Sequence, residues 1–175
     1  MKVLIERKPI LNTSRLVLLF VLCSIGYSFS QDQREIEQKL RDSIHNEFIN
    51  IYSDYIHYSK NGVTNFNGKT EFWKIYELQN ENRIIQIESH SEATYFQEIY
   101  FEKNGKLVYA KETQNYTPIN SFEQMAWNCE FYIKDDKVIT TMSLGHGKTE
   151  DEEWDENMII EMYFKRLVEI EKIQQ

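Results

Sequence analysis

Gly145-His146-Gly147-Lys148-Thr149 copies the end of a phosphate-cradling loop, G-x-x-x-x-G-K-T, between an apolar segment and a run of helix formers. The match stops there. The first glycine of that pattern falls on Met142, inside a strand-like segment, so the loop is too short to wrap a phosphate. Glu150, Asp151, Glu152 and Glu153 follow at once and repel an anion where a helix start should attract it. The pentapeptide reads as a strand-to-helix turn. His146, flanked by glycines and followed by carboxylates, is the one residue here with the makings of a general base.

Other chemistries find little footing. His45, His57, His90 and His146 show no metal-ligand spacing such as H-E-x-x-H, and Cys129 has no cysteine neighbour. The acidic run from Glu150 to Glu156 lacks the D-x-[DN]-x-[DN]-G order that wraps calcium. No G-x-S-x-G elbow is present, and Cys129 alternates with Trp127 and Phe131 as a core thiol would. Neither a metal nor a cofactor is expected.

A surface remains. Trp127, Cys129, Phe131 and Ile133 share one strand face, which is the core side, so Glu130 and Tyr132 point the other way. The stretch from Glu98 to Val108 aligns with Glu130 to Ile139 across a one-residue gap: acidic, apolar, Tyr, apolar, turn, Lys, two apolar residues. A fainter copy begins at Ile75-Tyr76. The repeat then puts Tyr76, Glu98, Tyr100, Glu130 and Tyr132 on one outer face, a candidate binding surface of tyrosines and carboxylates. Cover of that face by a helix, or plain cross-strand pairing, is the competing reading.

These residues need elements to hold them. Ile36, Leu40, Ile44, Phe48, Tyr52 (or Ile51) and Tyr55 recur at helical spacing and predict an amphipathic helix over 32–59, with Gly62 of Asn61-Gly62 as its C-cap. From Thr70 to Leu144 the period falls to two. Turn signals at Asn67-Gly68, Asn80–Asn82, Asn104-Gly105 and Asp135-Asp136 divide the segment. Six antiparallel strands are expected at 70–78, 83–90, 93–103, 106–114, 126–134 and 137–144, with 113–124 as the longest irregular connection. Thr149 with Glu152 fits a capping box opening a C-terminal helix, whose stripe of Trp154, Met158, Ile159, Met162, Leu167 and Ile170 packs on the sheet. Lys165, Arg166 and Lys172 gather toward its negative end. The fold class is α+β: a helix, a meander of about six strands, and a closing helix.

The first thirty residues read as a secretory signal. Lys2, Arg7, Lys8 and Arg15 precede the uncharged run Leu16–Phe29, and Ser28 and Ser30 suit cleavage after Ser30. The run is too short to span a bilayer, so no stable membrane span is expected after cleavage. Leu22 before Cys23 fits a lipoprotein signal badly. Residues 31–175 then form one exported domain, periplasmic or extracellular. Few alanines and many Asn, Ile, Lys and Tyr suit an AT-rich bacterial genome. The whole chain holds 20 basic and 28 acidic residues, a net −8. Its first thirty residues contain four basic and one acidic, leaving 16 and 27, or −11. Such charge repels nucleic acid and anionic lipid. The composition suits a non-enzymatic interaction module, inhibitor- or immunity-like, with a basic protein partner. The alternative is a small-ligand carrier or envelope enzyme with its site near 113–124 and His146.

Overall fold

The computed structural model describes residues 13–54, 59–66, 68–117 and 124–173, with side chains from Gln31 onward except at 53, 54 and 59. The first twelve residues of the expected signal, the expected helix residue Tyr55, and 118–123 of the long connection lie outside the described residues. The order is α1 (Thr13–Asp54), β1 (Ser59–Phe66), β2 (Lys69–Glu77), β3 (Arg83–Ser91), β4 (Thr94–Lys103), β5 (Lys106–Tyr116), β6 (Met125–Lys134), β7 (Lys137–Gly145), a 3-10 turn (Lys148–Glu150) and α2 (Met158–Ile173). The fold is α+β. All seven strands form one antiparallel sheet in sequence order, so each strand pairs only with its neighbours in the chain.

The chain divides into two compact units, residues 1–39 and 40–175. In the first, the described side chains of α1 make exposed i,i+4 contacts, Lys39 to Glu35 at 2.6 Å and Gln33 to Glu37 at 2.9 Å. Ile36, expected in a buried stripe, is exposed. Among the described residues no helix is long and apolar enough to cross a membrane.

In the second unit the sheet is covered on both faces. Odd-numbered positions of β2, β3 and β6, among them Trp73, Ile75, Ile85, Ile87, Trp127 and Phe131, join Ile159, Tyr163 and Ile170 of α2 in one core. The opposite face presents Ile84, Phe101, Tyr109 and Tyr132 to Phe48, Ile44 and Tyr52 of α1 in a second core. Two-sided burial explains why the strands read as apolar with only partial alternation.

Three expectations are corrected. The meander has seven strands, because Asn61-Gly62 lies within β1 rather than capping a helix; Gly62 pairs with Trp73. A Cβ at Gly62 would lie 2.4 Å from Ile173 Cγ2, so glycine there admits the end of α2 against the strand. Thr64 fixes β1 on β2 by accepting the Trp73 indole N–H at 2.7 Å.

The C-terminal helix starts at Met158, not Thr149. The Thr149 hydroxyl is held by Ser143 at 2.9 Å and by the Trp127 indole at 3.2 Å, so it does not cap a helix. Asp151 and Asp155 instead accept the N–H of Glu153 (3.1 Å) and Asn157 (2.9 Å), turns of the Asx type that delay helix entry.

The third correction concerns faces. Tyr100 pairs with Ala110, which pairs with Phe131, so Glu98 and Tyr100 lie on the α2 side. Tyr132 pairs with Tyr109 on the α1 side. Three residues separate Tyr100 from the first turn residue Asn104, and two separate Tyr132 from Asp135. Both hairpins turn through two residues at positive φ (Asn104 51°, Gly105 72°; Asp135 51°, Asp136 57°), as in type I′ turns. One residue more or less before equivalent turns exchanges the faces. The gap in the sequence repeat is that residue.

Candidate binding site

The five expected site residues form no exposed face. Tyr100 and Tyr132 are fully buried, while Glu98, Glu130 and Tyr76 are half-buried. Tyr76, Glu130 and Tyr132 face α1, and Glu98 and Tyr100 face α2. The repeat survives as chemistry. Tyr100 Oη donates to Glu98 Oε2 at 2.7 Å, and Tyr132 Oη donates to Glu130 Oε2 at 2.7 Å. Each Glu-x-Tyr pair recruits cations from the helix or strand opposite it.

On the α2 side the cation is Arg166, 3% exposed. It forks onto Glu71 through Nη1 and Nη2, both 2.9 Å, and onto Glu98 through Nε (2.8 Å) and Nη2 (2.6 Å). Its guanidinium stacks 4.4 Å from the centre of the Phe66 ring. Burial raises the Glu71 carboxyl above its usual range despite Arg166, since Glu98 adds like charge nearby. A second buried cluster lies beside it: Arg83 is bidentate to Glu102, and Tyr163 Oη donates to Glu102 at 3.0 Å.

On the α1 side, Lys111 reaches Glu130 at 3.2 Å, and His45 Nδ1 lies 3.2 Å from Tyr132 Oη and 3.5 Å from Glu130. Burial pushes the Glu130 carboxyl up, but Tyr132, Lys111 and His45 outweigh it and hold the group below its usual range. Burial and the Glu130 carboxylate raise Tyr132 well above an ordinary phenol, so it stays protonated as a donor. The Cys129 thiol is pushed up to about 12 by burial and the nearby Glu112. Neither group is an activated nucleophile. Among the described residues every buried side-chain N or O has a partner, and no cluster of His, Cys, Asp or Glu is arranged to hold a metal.

The glycine-rich pentapeptide packs on Trp127. A Cβ at Gly147 would sit 2.4 Å from Trp127 Cγ, and one at Gly145, whose φ is 87°, would sit 1.9 Å from the Ala126 carbonyl oxygen. Lys148 pairs with Glu112 at 2.5 Å and lies over the Trp127 ring. His146 is 73% exposed, its Nδ1 2.6 Å from Glu150.

A further cleft lies where α1 crosses the tips of the β4–β5 and β6–β7 hairpins. It holds about 440 Å³. Leu40 and Ile44 of α1 and Val108 of β5 line its apolar floor, while Leu107 and Ile133 beside them turn their side chains into the α2-side core. Lys103, Lys106 and Lys134 stand at its rim with Glu47, Asp135 and Asp136; Lys103 is paired with Glu47 at 2.8 Å. Bulges at Val108 of β5 and Ile139 of β7, each an extra residue opposite the Phe101–Glu102 and Tyr132–Ile133 steps, bend both hairpins at this level. Leu40 and Ile44 stand out in the sequence as helix-stripe residues. The hairpin residues facing them are separated from α1 by some sixty residues or more, and no local pattern joins the two.

No protein-family model, curated protein or solved structure matches the chain.

Proposed function

We propose that the chain is a non-enzymatic binding module, inhibitor- or immunity-like in kind, which takes apolar side chains of a basic protein partner into the groove between α1 and the two hairpin tips. The observation that carries this reading is the groove itself: an apolar floor, a charged rim, and room for one or two anchoring side chains. Binding hot spots are built this way, with a desolvated pocket ringed by polar contacts. The surplus of 28 acidic over 20 basic residues supports a cationic partner, since net charge steers encounter. The rim charges balance among themselves, so that attraction comes from the rest of the surface. The Glu-x-Tyr clusters favour binding over catalysis, because their carboxylates and hydroxyls are directed at protein neighbours.

Export belongs to the same proposal. It rests on the basic start and the uncharged run Leu16–Phe29, with cleavage after Ser30 and a final place in the periplasm or outside the cell. No observation favours the carrier or enzyme alternative near 113–124, since His146 is open to solvent and engaged with Glu150.

Tagged protein incubated with envelope and culture fractions is expected to retain a basic protein and to release it as salt rises from about 50 to about 300 mM. Ser43→Trp fills the groove from an exposed position of α1 and is expected to weaken that association by about tenfold or more, roughly 1.4 kcal/mol. Binding that ignores both salt and Ser43→Trp contradicts the reading.

A further inference from the structure

We propose that β7 is a homodimer interface, on which two copies of the chain pair antiparallel about a two-fold axis through Met142 and join two seven-stranded sheets into one. This goes beyond the groove reading and is independent of it. Among the described residues strand β7 pairs with β6 alone, so one side of its backbone has no strand beside it there. The segment Ile139-Thr140-Thr141-Met142-Ser143-Leu144-Gly145 contains no charge and no proline in a chain that is 27% charged. Met142 and Leu144 are exposed at 42% and 65%. Natural edge strands are ordinarily protected by lysine, proline or cover, and this segment has none of the side-chain protection. The other edge differs. Strand β1 carries Lys60 and is seated against Ile173 of α2 at Gly62.

The sequence of β7 is self-complementary in one register. With Met142 opposite its own copy, Thr141 meets Ser143 on the α2 side, and Thr140 meets Leu144 on the α1 side. The regular edge runs from Thr140 to Leu144, since Ile139 forms a bulge, and no like charges are opposed along it. The charged residues of α1 nearest Met142 are Arg41 and Asp42, one of each sign, so a symmetric copy does not bring a single-sign surface against itself. Residue parity requires this kind of register: a two-fold axis normal to the sheet keeps each face on its own side, and only registers pairing even with even satisfy it.

The geometry gives a position-specific test. At the axis the two Met142 Cα atoms stand about 4.5–5.5 Å apart, within disulfide reach. Two Leu144 residues stand about 13 Å apart, out of reach. In full-length protein carrying Cys23→Ser, Met142→Cys is expected to form a covalent dimer under mild oxidation, and Leu144→Cys is not. Sedimentation velocity on the unmodified chain should show a dimer. Each copy carries net −8, so dimerisation should tighten with salt, opposite to the partner binding above. Met142→Lys should weaken it by about tenfold or more with folding intact by circular dichroism, whereas Val63→Lys on β1 should leave it unchanged. A monomer at about 100 μM, equal cross-linking at both cysteine positions, or open-ended polymers through β1 would each overturn the proposal.

Discussion

Replacing Arg166 by methionine removes a buried cation while keeping most of the side-chain volume. The guanidinium makes four hydrogen bonds of 2.6–2.9 Å to two carboxylates. Once it is gone, Glu71 and Glu98, with side chains only 5% and 18% exposed, face each other without a counter-charge. Removing one member of a buried ion pair costs about 3–5 kcal/mol, because the remaining charge has neither water nor partner. Loss of the stack on Phe66 adds about 0.5–1 kcal/mol. Arg166→Met should therefore destabilise the protein by about 4 kcal/mol. With a urea slope of about 2 kcal/mol per molar, the midpoint falls by about 2 M. Adding Glu71→Gln to the variant should restore at least about 1 kcal/mol, since the neutral amide relieves the repulsion that the first change creates. Urea denaturation of the wild type and the three variants, followed by tryptophan fluorescence, closes the cycle. A midpoint shift under about 0.5 M for Arg166→Met, or strict additivity in the double variant, refutes the claim that this cluster fastens α2 to the sheet.

Acid behaviour should separate two glutamates. Glu130 is held below its usual 4.5, so its stabilisation is present above that pH and is lost as pH falls through the lowered value; Glu130→Gln should flatten the acid limb of urea midpoints taken from pH 3 to 8. Glu71 is raised, so its contribution is full below 4.5 and fades as pH climbs through the raised value; Glu71→Gln should flatten that opposite slope. Asp136 holds a left-handed φ of 57° at the second turn position, and Asp136→Gly should stabilise by about 1 kcal/mol by thermal unfolding. Gly147→Ala drives a methyl group into the Trp127 ring and should cost about 1–3 kcal/mol by the same assay, with little loss expected only if that loop packs elsewhere.

Turn chemistry made most of the sheet legible. The six expected strands lie within two residues of β2 to β7 at both ends, because Asn104-Gly105 and Asp135-Asp136 mark turns that only residues tolerant of positive φ enter readily. Strand β1 escaped because Ser-Lys-Asn-Gly-Val-Thr-Asn-Phe holds two apolar residues and a glycine that resembles a helix cap. That glycine answers to Ile173, more than a hundred residues away. The core side of β6 was legible from Trp127, Cys129, Phe131 and Ile133, all buried. Extending its outer face to Glu98 and Tyr100 failed because local similarity fixes neither register nor face. Arg166 looked like a dipole-side cation, yet it falls on the buried stripe Ile159, Tyr163, Arg166, Ile170. Counting charges by helical position rather than by proximity to the helix end would have found it.

The most direct test of the binding reading is a hydrogen-exchange footprint of the protein with and without the basic partner retained at low salt. Slowed exchange is expected only in residues 40–47 of α1 and in the hairpin segments 103–108 and 133–136, the walls of the groove. Protection centred on His146 and the end of β5, with the groove unchanged, would contradict it.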